Sequence, residues 1–112
     1  MSSIKMGGMI TDESAEKCID FIRDNASTYA MAKANRVYSE QYRKTVKARL
    51  RQESNARTEG QKDDYAYSHV DYNGILDGLK EAVYAETKLQ WELEAARVKI
   101  SAWQTERKAN LL

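Results

Sequence analysis

The stretch that decides the fold is residues 72–103, which read YNGILDGLKEAVYAETKLQWELEAARVKISAW. Side chains recur in it at alternating intervals of three and four residues: Tyr72, Ile75, Leu79, Ala82, Glu86, Leu89, Leu93, Ala96, Ile100 and Trp103. In this series only Glu86 is polar. Such a heptad pattern is typical of a helix that packs lengthwise against another helix. It predicts a helix over residues 64–109, in which Gly74 and Gly78 weaken the first turns.

The composition of the whole chain also favours helices. The 112 residues include no proline and five glycines, and 42% of them are hydrophobic. A β-sandwich or barrel needs turn residues at frequent intervals, which this chain does not supply. Wholesale disorder requires low hydrophobicity together with a high net charge, and this chain has neither. We therefore expect an all-α protein.

A first, short helix is predicted over residues 12–24. Thr11 suits an N-cap, and the acidic residues that follow it suit the positive end of a helix. A bend at Asp24-Asn25 is favoured, because either side chain can cap a new helix. The alternative is one continuous helix, since Ala26 and Tyr29 continue the apolar stripe.

The second helix is predicted over residues 26–57, followed by a polar loop over Ser54–Asp63. Its packing face is expected to consist of small side chains: Ala30, Ala34, Val37, Gln41, Thr45 and Ala48. Residues 1–10 are expected to form a flexible tail. Residues 11–112 then form a single domain, a long antiparallel helical hairpin preceded by the short helix. Because Leu76 and Val83 lie beside the seam uncovered, we expect an oligomer, most simply a dimer.

The cysteine content and hydropathy bear on the compartment. A single cysteine, Cys18, allows no intramolecular disulfide, which fits a reducing compartment. The apolar runs are far shorter than a membrane span, and the first residues contain no apolar core of signal-peptide length. We expect a cytoplasmic protein without a membrane partner.

Few residues are suited to catalysis or metal binding. His69 is the only histidine, and a lone histidine near a helix start is more often a cap or a packing residue than a general base. One histidine and one cysteine do not make a usual ligand cluster. Asp63, Asp64 and Asp71 suit a helix N-terminus without a cation. We expect no enzymatic activity, no cofactor and no metal.

The charge is distributed unevenly along the chain. Residues 31–58 contain eight basic and two acidic side chains, a net charge of +6, whereas the whole chain carries +1. On a helical wheel most of these basic side chains form one row, which can follow a phosphate backbone, and a tyrosine at its margin can stack on bases. The candidate nucleic-acid-binding residues are Lys33, Arg36, Tyr42, Arg43, Lys44, Lys47 and Arg51.

A second interpretation explains the same charges by packing. In it the basic helix pairs with acidic side chains of the third helix, namely Glu81, Glu92 and Glu94. Both interpretations stay open at this point, although a dimer would double the basic row and favour nucleic acid. Trp91 lies off the heptad series, and an exposed tryptophan there is a candidate contact for a protein partner.

Nearly the whole chain, from Thr11 to Asn110, resembles small helical early-region proteins of tailed bacteriophages. The segments that carry the resemblance are Asp20–Asn25, Ala32–Lys44, Asp64–Tyr67 and Leu89–Ala96, with Ile100 and Trp103. Genes of this group often lie near genes for homologous recombination and single-strand annealing. The resemblance contains no motif of known mechanism, so it implies a setting and no catalytic residues.

In that setting we expect an accessory protein for DNA recombination or replication, located in the cytoplasm of the host cell. It would bind single-stranded DNA, or a recombinase, nuclease or single-strand-binding protein, or both. One alternative is an inhibitor of a host defence or nuclease complex, which acts by protein contacts through Trp91. Another is a structural coiled-coil adaptor.

Overall fold

The computed structural model describes residues 9–111, in which the chain forms three helices and no strand. The helices are α1 (Asp12–Glu53), α2 (Glu59–Ser68) and α3 (Val70–Leu111). The predicted all-α class is confirmed. Residues 1–8, which make up most of the expected tail, lie outside the described residues, so the tail stays a prediction.

Helix α1 is continuous through the position where a bend was expected. It begins as predicted, because the Oγ1 of Thr11 accepts a hydrogen bond from the backbone N–H of Ser14 at 3.0 Å. Asn25 does not cap a new helix. Its Nδ2 donates to the backbone oxygen of Phe21 at 2.9 Å, a bond one turn back that leaves the helix intact. The prediction of a separate short helix over residues 12–24 is therefore wrong.

The predicted polar loop is shorter than expected, because a helix begins within it. Helix α1 ends at Glu53 rather than near residue 57. Thr58 has an extended backbone, and its side chain accepts a hydrogen bond from the N–H of Gln61 at 3.1 Å. This N-cap starts α2 at Glu59. Only residues 54–58 connect α1 to α2.

The third helix begins at Val70 rather than at residue 64, because His69 interrupts the helix that was predicted there. Its backbone is extended, and its Nδ1 accepts a hydrogen bond from the N–H of Asp71 at 3.0 Å. Its carbonyl oxygen accepts from the N–H of Asn73 at 3.1 Å. His69 is thus the N-cap of α3, the kind of structural role that its position predicts. Helix α3 then runs unbroken through both of its glycines.

The contacts of the chain fall into two units. The central unit is Ala30–Thr87, and the terminal unit consists of the chain before and after it. In the central unit the core is a cluster of buried side chains from all three helices, against which Ile75 packs: Val46, Leu50, Ala66 and Tyr72. Leu50 is fully buried.

In the terminal unit the buried apolar side chains are small, Ala15 of α1 and Ala96 of α3. A polar contact joins the two helices near the start of α1. Asp12 Oδ1 accepts hydrogen bonds from Trp103 Nε1 at 2.9 Å and from Arg107 Nη1 at 2.6 Å. These two bonds hold the pKa of the Asp12 carboxyl below its ordinary value.

The predicted heptad register of α3 is confirmed. All ten side chains of the series, from Tyr72 to Trp103, are buried or half-buried, and Glu86 is among the buried ones. Most other side chains of α3 are exposed. The seam predicted from residues 72–103 is therefore the inward face of this helix.

The packing face predicted for α1 is wrong. All six small residues assigned to it, from Ala30 to Ala48, are exposed. The inward face of α1 is instead a series of buried or half-buried side chains at alternating intervals of three and four residues: Ala15, Cys18, Ile22, Asn25, Tyr29, Ala32, Arg36, Ser39, Arg43, Val46 and Leu50. This face contains the larger apolar groups, and its two arginines find acceptors within the protein.

Truncation of Leu50 tests the central core. Leu50→Ala leaves a cavity among fully packed neighbours, so the free energy of unfolding should fall by about 2–5 kcal/mol. Leu76→Ala is the matched control, because Leu76 is 38% exposed on α3 and should lose much less. Chemical denaturation followed by circular dichroism measures both. Equal losses for the two variants would contradict the assigned core.

Candidate nucleic-acid interface

A salt bridge lies inside the seam of the central unit. Glu86 is only 7% exposed, and its carboxylate accepts two hydrogen bonds from Arg36, from Nε at 2.6 Å and from Nη2 at 3.2 Å. Arg36 Nη1 donates a third to Glu40 at 2.9 Å. The hydrogen bonds from Arg36 lower the pKa of Glu86, and those to both carboxylates raise the pKa of Arg36. All three guanidinium nitrogens of Arg36 are therefore used in hydrogen bonds within the protein, and not in contacts with a ligand.

The sequence contains a signal for this salt bridge, which is overlooked when only the apolar residues of the heptad series are considered. Glu86 is the one polar residue in the heptad series of α3, and a buried carboxylate requires a cationic or hydrogen-bonding partner. Arg36 follows Tyr29 by seven residues and precedes Arg43 by seven. Residues seven apart lie on the same face of a helix, so Arg36 shares the inward face of α1 with Tyr29 and Arg43. Its guanidinium there donates to the carboxylate of Glu86.

Arg43 is also directed into the protein. Its Nη1 donates to the phenol oxygen of Tyr72 at 3.4 Å, a bond that raises the pKa of Arg43. Its Nε is buried and has no hydrogen-bond partner among the described residues. Arg43, which the sequence assigned to nucleic-acid binding, therefore lies on the packing face of α1 instead. Substitution of Arg43 would change packing as well as charge.

Three other predicted residues meet around one groove of the central unit. Lys44, Lys47 and Arg51 of α1 line an open groove of about 360 Å³, together with Gln52 and with Lys62 of α2. Lys62 was absent from the sequence-based set, because the short connection to α2 is what brings it here. The groove combines four cationic side chains and one amide donor.

The groove cations differ in how tightly they are held. Lys47 Nζ donates to the hydroxyl of Tyr67 and lies 4.5 Å from its ring centroid, and the hydrogen bond raises the pKa of Lys47. Arg51 forms salt bridges with Glu59 and Asp63. Lys44 is exposed and has no ion pair within residues 9–111. Lys44 is thus the cation most available to a ligand.

Two predicted residues lie outside this groove. Tyr42 stacks on Tyr38, with ring centroids 5.8 Å apart and planes 9° from parallel. It borders a different groove, beside Arg49 and Asp71. Lys33 is exposed and lines neither groove. The structure therefore does not bring Tyr42 to the lysines, so the seven predicted residues do not form one continuous surface.

The acidic partners of the basic residues are not those that the packing interpretation named. Glu92 pairs with Lys88 at 2.7 Å, and Glu94 pairs with Arg97 at 2.5 Å, both within α3. The carboxylates that pair with the basic row of α1 are instead Glu40, Glu59, Asp63 and Glu86. Pairing between the helices is real, but it proceeds through other residues.

Trp91, the predicted partner contact, is 66% exposed in the terminal unit. Its ring makes no aromatic stacking or cation–π contact with other residues in the described part of the chain. Such exposure is unusual for a large indole side chain and leaves its apolar surface available to another molecule.

The described residues show no metal site and no membrane-spanning helix, and comparison with known proteins finds no relative. Among residues 9–111 no group of three or more acidic, histidine or cysteine side chains is placed to hold a metal ion. No helix in this range is both long and apolar enough to cross a membrane. Comparison with protein-family models, with curated proteins and with solved structures finds no match to this chain.

The Arg36–Glu86 pair should make stability depend on pH. Because the folded pKa of Glu86 lies below its ordinary value of 4.5, the pair stabilises the fold above that value. This contribution is lost as the pH falls through the lowered pKa. The variant Glu86→Gln should therefore lose less unfolding free energy than the wild type on acidification, measured by urea denaturation at several pH values.

An exposed carboxylate of the same helix provides the control for this experiment. Glu81→Gln should retain the acid dependence of the wild type, because Glu81 is exposed and has no ion pair in the described residues. If Glu86→Gln and Glu81→Gln respond alike to acid, the seam pair does not contribute as argued.

Proposed function

We propose that this protein binds the phosphate backbone of nucleic acid in the groove lined by Lys44, Lys47, Arg51, Gln52 and Lys62. The observation that carries the proposal is the convergence of four cations from two helices on one open groove. In this proposal the protein is a non-enzymatic accessory factor of DNA recombination or replication. The resemblance to early-region phage proteins supports that setting.

The charge balance of the groove favours an anionic ligand. Glu59 and Asp63 offset two of the four cationic charges, which leaves an excess of two. Ammonium groups such as that of Lys44 bind phosphate as mobile point charges, and their binding releases counterions from the nucleic acid. A phosphodiester chain satisfies both the charge and the open form of the groove.

The predicted residues then have different tasks. Arg36 and Arg43 hold the helices together, and the groove lysines contact phosphate. Lys33 contributes a more distant phosphate contact. Tyr42 faces another groove, whereas the ring of Tyr67 contacts the groove residue Lys47 and is 47% exposed. A base of a single strand can stack there, next to Lys47.

We also propose that α1 and α3 pair as an antiparallel hairpin within each unit. In the central unit Arg36 contacts Glu86 and Arg43 contacts Tyr72, so partner numbers fall along α3 as they rise along α1. Side-chain contacts in this antiparallel order are what a helical hairpin requires.

A second candidate function is supported by the exposed Trp91. A tryptophan of this exposure suits an interface with a protein such as a recombinase, a nuclease or a host defence complex. In that case the protein would act as an adaptor or inhibitor, and the groove would have only a minor effect. The groove variants described next separate the two candidates.

Removal of two groove lysines tests the proposed function. The wild type should bind single-stranded DNA with an affinity that falls steeply with salt. The double variant Lys44→Gln and Lys62→Gln should bind more weakly, and its salt slope should be shallower by about 1.4, because each phosphate contact contributes about 0.7 on a single strand. Fluorescence anisotropy over a salt series measures both quantities.

The control removes the same charge elsewhere. Lys80→Gln with Lys108→Gln takes two exposed lysines from α3, neither of which lines the groove, and should leave the salt slope close to that of the wild type. Lys33→Gln should have a smaller effect than either groove substitution. A wild type that binds no DNA at low salt, or equal losses in groove and control variants, would remove the proposal.

A further inference from the structure

The terminal unit has a second stripe of apolar side chains on α3, on the side that faces away from the seam. Trp91, Ala95, Val98 and Ala102 are all exposed, at successive intervals of four, three and four residues. Trp91 is 66% and Val98 is 52% exposed. The spacing is that of a helix-packing face, and no described residue covers it.

We propose that a second copy of this chain packs against this stripe, with the two α3 helices antiparallel about a two-fold axis. In the register centred between Ala96 and Arg97, Trp91 meets Ala102 of the second copy, and Val98 meets Ala95. Each large side chain is then opposite a small one, as close packing between helices requires. A parallel pair would instead place Trp91 against Trp91.

The charges beside the stripe are complementary to themselves in the same register. Glu92 and Lys99 lie seven residues apart on one edge of it, and both border an open groove of about 490 Å³ in this unit. Antiparallel packing brings Glu92 of one copy to within two residues of Lys99 of the other, an axial offset of about 3 Å. Lys99 has no other ion pair among residues 9–111.

This self-complementarity is the argument for a second copy rather than a different protein. A two-fold interface repeats each contact, so the register must pair large with small and acid with base twice over. The stripe and its edge satisfy both conditions at once. If the partner were a different protein, residues 91–102 would not have to be complementary to a second, antiparallel copy of the same segment.

Charge reversal tests the pairing. We expect the wild type to be a dimer by sedimentation equilibrium at micromolar concentration. Glu92→Lys and Lys99→Glu should each weaken dimerisation by about tenfold or more, because each creates two like-charge contacts. An equimolar mixture of the two variants should restore a dimer, since opposite charges then face each other at both ends.

Three controls complete the experiment. Lys108→Glu changes the same charge on α3 outside the stripe and should leave the dimer intact, and Trp91→Ala should weaken it. Circular dichroism checks that every variant keeps its helix content. A monomeric wild type, a dimer unaffected by Trp91→Ala, or a mixture of charge variants that does not reassociate would each overturn the proposal. DNA binding by the groove variants is measured separately, so neither result decides the other.

Discussion

The central unit depends on one interaction, the bidentate salt bridge between Arg36 of α1 and Glu86, the one charged residue in the apolar seam of α3. A buried ion pair adds little net stability compared with well-packed apolar side chains, but the loss of either partner leaves a charge without compensation. Displacement of α3 along α1 by one turn would place Glu86 beside Ala32 or Ser39, which cannot neutralise a carboxylate. The pair therefore acts mainly on register, as single polar residues do in coiled coils.

The basic face of α1 contains two chemically distinct sets of side chains. Arginine lies on the inward side, where a planar guanidinium can satisfy a buried carboxylate or a phenol with several donors. Lysine predominates at the open groove, where a hydrated ammonium exchanges partners readily. The choice between the two cations thus separates the residues that hold the helices together from those that remain free to meet an anion.

The sequence predicted α3 better than α1, for a physical reason. The seam of α3 is made of apolar residues, so its periodicity is visible, whereas that of α1 includes Arg36, Ser39 and Arg43 and looks polar. The start of α1 was predicted from the capping side chain of Thr11. The starts of α2 after Thr58 and of α3 after His69 were missed, because both lie within segments that the sequence assigned to a loop and to one longer helix. The groove was half predictable: Lys44 and Lys47 lie one turn apart, but Lys62 joins them only through the tight connection after Glu53.

The contacts of Arg51 have a consequence for the order of folding. Arg51 joins the last turn of α1 to Glu59 and Asp63, only 8 and 12 residues away, whereas Asp12 and Arg107 are separated by 95. Closing a short loop costs less conformational entropy than closing a long one. We expect the α1–α2 corner to form first and the ends of the chain last, an order that pulsed hydrogen-exchange labelling during refolding would detect.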